Sequence, residues 1–128
     1  MALSSCSNGE TISVGTIAKF PVTKTVYGIS DVHGFRTSGK FVCEVPGVYL
    51  FSVHIMSESD SAAYQMLKNN MMLSSVYVIY TSQTSTHYNT GTGVMAVQLN
   101  VGDTLYVKAY TNMHIYGTWS CMTIIKIR

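Results

Sequence analysis

Two short stretches set aromatic rings beside hydrogen-bonding groups. His87-Tyr88-Asn89 and Asn112-Met113-His114-Ile115-Tyr116 place tyrosines next to amides and imidazoles. Sugar recognition uses that combination, because a flat apolar face stacks on a sugar ring while Asn and His exchange hydrogen bonds with its hydroxyls. His87, Tyr88, Asn89, Asn112, His114 and Tyr116 are therefore the candidate ligand-binding residues. The competing reading is structural, since tyrosines on β-loops also pack over the end of a sandwich.

Other chemistries find less support. The nearest approach of two carboxylates to a general acid/base pair is Glu58-Ser59-Asp60, whose polar surroundings read as a solvated loop tip rather than a calcium site. The four histidines, His33, His54, His87 and His114, form no i,i+4 pair and no HExxH motif. Asp31-Val32-His33 would bring two side chains to one face if extended, suiting an ion pair or two metal ligands, but two ligands do not make a site. No GxSxG elbow occurs, and Gly91-Thr92-Gly93 has no following helix to cradle a phosphate. Neither an enzyme, a metal site nor a cofactor is expected; calcium is not predicted.

Three cysteines allow at most one internal bridge, and none sits in a CxxC pair. Cys43 and Cys121 lie in apolar strand patterns and read as buried thiols. Cys6 lies in a polar lead-in and reads as exposed, with a cross-link to another chain as the alternative.

The elements that must position these residues are strands. In Ser38 to Met56 (SGKFVCEVPGVYLFSVHIM), Tyr49, Phe51, Val53 and Ile55 share one face at period two. Pro46-Gly47 interrupts the run ahead of them. The opposite face, Val48, Leu50, Ser52, His54 and Met56, is also more than half apolar, which calls for a second cover such as another subunit. Thr11 to Phe20 alternates loosely, with Gly15 as a bulge candidate. Val22 to Ile29 reads as a short strand and Ser30 to Lys40 as turn-rich. Ala63 to Lys68 and Met71 to Thr81 flank the turn Asn69-Asn70. Ser82 to Thr92 is a surface loop, and Gly93 to Val101, Thr104 to Tyr110 and Trp119 to Ile127 complete the strands around a tight Gly102-Asp103 turn. No helical period persists, so the fold class is an all-β sandwich. Residues 1–10 read as a flexible lead-in and 11–128 as one globular domain.

Composition sharpens this. Only 11 % of the residues are charged, where about a quarter is usual. Such sparse charge fits a subunit that buries surface in an oligomer. The net charge of +2 comes from scattered Lys and Arg, which form no phosphate-binding stripe, so no nucleic-acid partner is expected. No apolar run reaches a membrane-spanning length. MALSSCSNGE lacks the basic and apolar regions of a signal peptide.

The run from Ser38 through Pro46-Gly47-Val48-Tyr49-Leu50-Phe51 resembles the central motif of the complement C1q globular-head family, relatives of the tumour necrosis factor fold. Gln98 to Val107, around Gly102-Asp103, is similar to that family's LxxGDxVxV hairpin, Leu67-Lys68-Asn69 to its LxKNG turn, and Thr118-Trp119-Ser120 to its approach to the last strand. Asn70 stands where the family usually has glycine, and Asp31 to Phe35 is about one residue shorter than the family's loop. The resemblance implies a jelly-roll β-sandwich of about ten strands and a homotrimer packed through the inner sheet. Tyr49, Phe51, Tyr106 and Trp119 become candidates for core or trimer-interface positions. It further implies a secreted, stalkless innate-immune protein of the kind numerous in invertebrates, a lectin-like pattern-recognition module for microbial surface carbohydrate. The alternative it offers is a cytokine-like or adaptor ligand that engages a protein receptor between subunits. A structural or storage role would require multivalent calcium binding, against which the low acidic count argues.

Overall fold

The computed structural model describes residues 1–79 and 88–128. Among them are eleven strands and one short helix: β1 (Ala2–Cys6), β2 (Glu10–Ile12), β3 (Val22–Tyr27), α1 (Val32–Ser38), β4 (Phe41–Val42), β5 (Gly47–Ser57), β6 (Ala63–Lys68), β7 (Met71–Tyr77), β8 (Asn89–Leu99), β9 (Thr104–Ala109), β10 (Met113–Ile115) and β11 (Cys121–Lys126). A five-stranded sheet runs β3-β1-β11-β5-β8 and a four-stranded sheet β4-β9-β6-β7, with β10-β2 as a separate pair. All of these pairings are antiparallel. The result is the expected all-β jelly roll.

The period-two pattern of β5 decides how the sheets meet. Tyr49, Phe51, Val53 and Ile55 are each fully buried and join Tyr64, Met66, Leu105 and Val107 of the four-stranded sheet in one core cluster. Burial is compatible with the tyrosines because their hydroxyls are satisfied. Tyr64 donates to the carbonyls of Gly91 (2.8 Å) and Val53 (3.1 Å), and Tyr49 to that of Val45. Burial also pushes the Tyr64 phenol well above the usual tyrosine range.

The lead-in expected over residues 1–10 is instead structural. Ala2–Cys6 lies inside the five-stranded sheet between β3 and β11, and Cys6 stands directly opposite Cys121. The two sulfurs are bonded at 2.08 Å, so Cys121 is not the free thiol the sequence suggested, and Cys6 is buried and bonded within the chain rather than exposed or cross-linked to another; Cys43 remains free and buried. Small side chains such as Ser4 and Ser5 give this strand no apolar signature, but cross-strand pairing supplies its partners. Ser4 Oγ and Thr123 Oγ1 share a hydrogen bond of 2.9 Å, and Ser5 donates to the Phe20 carbonyl.

The stretch Ser30 to Lys40 is likewise not turns alone. Asp31 caps α1 by accepting from the Gly34 N–H (2.9 Å), and Gly39 ends it in a left-handed conformation (φ 79°) while donating to Phe35 O. Asp31 and His33 therefore do not share an extended face, and the ion-pair or metal-pair reading of them falls. In the Thr11 to Phe20 region only Glu10–Ile12 is a strand, after which Thr16 and Ala18 hydrogen-bond to β9. At the β6-β7 turn the left-handed residue is Asn69 (φ 54°), not Asn70.

One face of the five-stranded sheet points away from the core. Its register lines up Tyr27-Ala2-Ile125-Leu50-Ala96 and Thr25-Ser4-Thr123-Ser52-Val94. These two rows hold no charged side chain. Tyr27 is 72 % and Val94 56 % exposed in the single chain.

Candidate functional site

Three of the six candidate binding residues meet in one ring cluster. Tyr116 follows β10 and sits edge-on to both neighbours: its ring centroid lies 4.5 Å from that of His114 and 5.4 Å from that of Tyr88, with interplanar angles of 78° and 71°. Edge-to-face packing of this kind is the favoured aromatic geometry. Tyr88, just before β8, leaves 54 % of its surface to solvent.

Backbone and side-chain bonds hold the cluster in place. The Tyr116 hydroxyl donates to the Glu58 carboxylate, and the Tyr116 N–H donates to Met56 O (3.2 Å). His114 donates its backbone N–H to Ser59 Oγ (3.0 Å), while its Nδ1 shares a 2.8 Å hydrogen bond with Thr11 Oγ1. Glu58 and Ser59 follow the end of β5, and Thr11 lies opposite His114 in the β2-β10 pair. The Glu58 hydrogen bond is the first cause holding the Tyr116 phenol well above the usual tyrosine range; desolvation and the Glu58 charge add to it. Tyr116 is therefore a neutral donor at physiological pH, its hydroxyl directed at Glu58.

The remaining candidates are nearby or outside. Asn112 is exposed, and its Oδ1 accepts the Val14 N–H at 2.9 Å, so its amide braces a loop. Asn89 is exposed at the start of β8, opposite Ser57. His87 lies outside the described residues. Sequence reasoning missed Glu58, Ser59 and Thr11: Glu58-Ser59-Asp60 looked like a solvated tip, but Glu58 is the anchor of Tyr116. Among the described residues no three of His, Cys, Asp or Glu gather in a way that could hold a metal ion.

The four core-or-interface candidates divide. Tyr49 and Phe51 are core. Tyr106 lies on the outer face of the four-stranded sheet, where its hydroxyl donates to Asn69 O (2.6 Å) and Lys40 Nζ sits 5.0 Å from its ring centroid. Trp119 is 62 % exposed, so a core role is excluded for it.

The jelly roll finds its counterparts among known proteins. Residues 18–123 match the C1q domain. The chain belongs to the C1q domain family. Among curated relatives, the complement C1q tumor necrosis factor-related protein 5 of Rattus norvegicus is 29 % identical over 96 residues, and its Homo sapiens counterpart 28 %. Each match takes in 69 % of this chain and spans 39 % of the relative's length. Among solved structures, the globular domain of zebrafish complement 1qA superposes with a TM-score of 0.74 at 18 % identity, covering 99 % of this chain and 97 % of that one. Eiger TNF from S. frugiperda gives 0.72 at 15 % identity, covering 100 % and 92 %. These likenesses fix the fold that C1q domains share with tumour necrosis factor ligands.

Proposed function

We propose that this C1q domain is a non-catalytic, extracellular recognition module that binds microbial surface carbohydrate as a homotrimer. The observation that carries the reading is the ring cluster: a half-exposed Tyr88 packed edge-to-face against a Tyr116 whose hydroxyl is held by Glu58. An aromatic platform of Tyr88, His114 and Tyr116, with Asn89 next to Tyr88 in the chain, presents stacking surface and hydrogen-bonding groups with little ordering cost. The two charge-free rows of the five-stranded sheet support trimer packing, and three copies of a weak site raise apparent affinity on a repetitive surface by ~10² or more. The Cys6–Cys121 bridge fits an oxidising, extracellular setting.

A second reading, a cytokine-like ligand for a protein receptor, draws on one separate observation. Strand β7 edges its sheet, and on the outer face, which also carries Tyr106, its Met72 and Tyr77 are each 54 % exposed. That is a surface a protein partner would cover.

Binding of the full chain to a multivalent glycan array and to whole microbes separates the two. Recognition of glycans that drops about tenfold in Tyr88→Ala, with an unchanged fold, is the expected result. Glycan binding indifferent to Tyr88 would move the site elsewhere. Silence across the array together with receptor capture lost in Met72→Lys would replace the carbohydrate reading by the ligand one.

A further inference from the structure

Strand β7 opens with two exposed methionines, Met71 and Met72, which strand alternation sends to opposite faces of the sheet. Met72 stands opposite Leu67, which is itself opposite Tyr106, so it lies on the outer face. The β6-β7 register shifts beside it: Met66 faces Ser74 and Leu67 faces Met72, leaving Leu73 as an extra residue on β7. On a regular strand, residues three apart point to opposite faces; the bulge brings Met72 and Ser75 to the same one. Ser75 is in turn opposite Gln65. Two donors thereby converge on one sulfur. Gln65 Nε2 donates to Met72 Sδ at 3.3 Å, and Ser75 Oγ donates to it at 3.2 Å.

A thioether is a weak acceptor, and two donors held against it suit a stronger acceptor in the same place. Oxidation supplies one, because a sulfoxide carries its polar oxygen on the atom those donors already face. We propose that Met72 is a site of reversible oxidation by peroxide, with Gln65 and Ser75 receiving the sulfoxide oxygen. A sulfur lone pair attacks one oxygen of hydrogen peroxide, and the S–O bond forms as the O–O bond breaks. The proton of the transferred oxygen passes to the departing hydroxide, which leaves as water; sulfur loses the two electrons that the peroxide gains. A thiol-dependent methionine sulfoxide reductase runs the change back, the oxygen leaving as water while two thiols become a disulfide. Sulfoxides disrupt apolar cores, but Met72 is on the solvent side of its sheet, so the core stays closed. The face that carries Tyr77 and Tyr106 becomes more polar at its edge while the β6-β7 pair keeps its tie. The site is independent of the carbohydrate reading, and its test leaves that reading untouched.

Hydrogen peroxide treatment of the full chain, followed by peptide mass spectrometry over time and by urea unfolding, decides it. Met71 and Met72 should both gain an oxygen ahead of the buried Met66, Met113 and Met122. In a Met71→Leu background, oxidation should leave the urea midpoint unchanged or raise it. The change on oxidation should be more favourable by roughly 0.5 M with both donors present than after Gln65→Leu and Ser75→Ala are added. Reductase treatment should restore both mass and midpoint. The same midpoint change in the two backgrounds, a Met72 that stays reduced while Met71 converts, or a sulfoxide the reductase does not remove would each overturn the proposal. Should the donor-free version fail to fold, the Gln65 side-chain amide protons in Met71→Leu are sufficient by themselves. Their exchange with water should slow on oxidation, and unslowed exchange overturns the assignment.

Discussion

Tyr116 is fixed at both ends, by rings on either side and by a carboxylate at its hydroxyl, and this makes its ionisation a reporter of the site. Glu58 favours the neutral phenol by accepting its proton in a hydrogen bond and by repelling the phenolate. Glu58→Gln should therefore lower the Tyr116 pKa toward the ordinary tyrosine value, read from its ring carbon shift during an alkaline titration; an unmoved pKa would mean the contact is not formed in solution. Asp103 behaves in the opposite sense. Hydrogen bonds from the Asn100 N–H (2.8 Å) and the Asn69 amide (3.1 Å), with Lys68 3.8 Å away, hold its carboxyl below the usual carboxylate range. A carboxylate depressed in the folded state stabilises it at pH values above the unfolded pKa of ~3.9, and that contribution disappears as pH falls through the folded value. The fall in urea midpoint on acidification should thus be shallower in Asp103→Asn below about pH 4. The types of the site residues were readable from sequence, but their meeting was not. Tyr88 and Tyr116 are far apart along the chain and touch only because β8 and β10 deliver them to one end of the sandwich. Glu58 was legible as a charge in a loop and not as an anchor, since nothing local marks its partner.

At the scale of elements, what was legible followed periodicity. Strand β5 announced itself because four large residues alternate, and β9 because Leu105, Val107 and Ala109 do. Strand β1 stayed hidden because ALSSC has small polar side chains whose value lies in what they face, including a cysteine opposite a cysteine. Helix α1 stayed hidden because seven residues span only about two turns, too few for a period, and Gly34 weakens the signal. Its caps are the signal that could have found it: Asp31 three residues before Gly34, and Gly39 at the end. Gly39→Ala tests the terminus. The residue needs a positive φ, and an added Cβ would stand 2.4 Å from Ala18 O, so a loss of roughly 2 kcal/mol or more is expected in urea unfolding. Asn69 clasps two hairpins by bonding both Thr104 N–H (2.9 Å) and Asp103 while holding φ at 54°. Asn69→Gly relieves the backbone but drops the clasp, whereas Asn69→Ala loses both. The alanine variant should be the less stable of the two, at a total cost of about 1–2 kcal/mol. The reverse order would show that the positive φ at this position costs alanine less than the added backbone freedom costs glycine.

For the whole molecule, the sparse charge of the sequence leaves two rows of the five-stranded sheet without any. The proposed trimer would have a mass near three times 14.1 kDa, about 42 kDa, by light scattering. Val94→Asp, at a residue that tolerates solvent, should yield a folded monomer; a persisting trimer would place the interface elsewhere. The Cys6–Cys121 bridge closes a loop with a sequence separation of 115. Its removal by the paired serine substitutions should cost roughly 3–5 kcal/mol in urea unfolding. The same bridge sets how the domain bears load. Drawn out by its two ends, the oxidised chain transmits tension across β1 and β11 through a covalent bond. At ~3.4 Å per residue, about 390 Å of contour length is shielded from stretching. Under a reducing agent that hidden length becomes extensible in a single-molecule trace, so the domain is a rigid link while oxidised and a long tether once reduced.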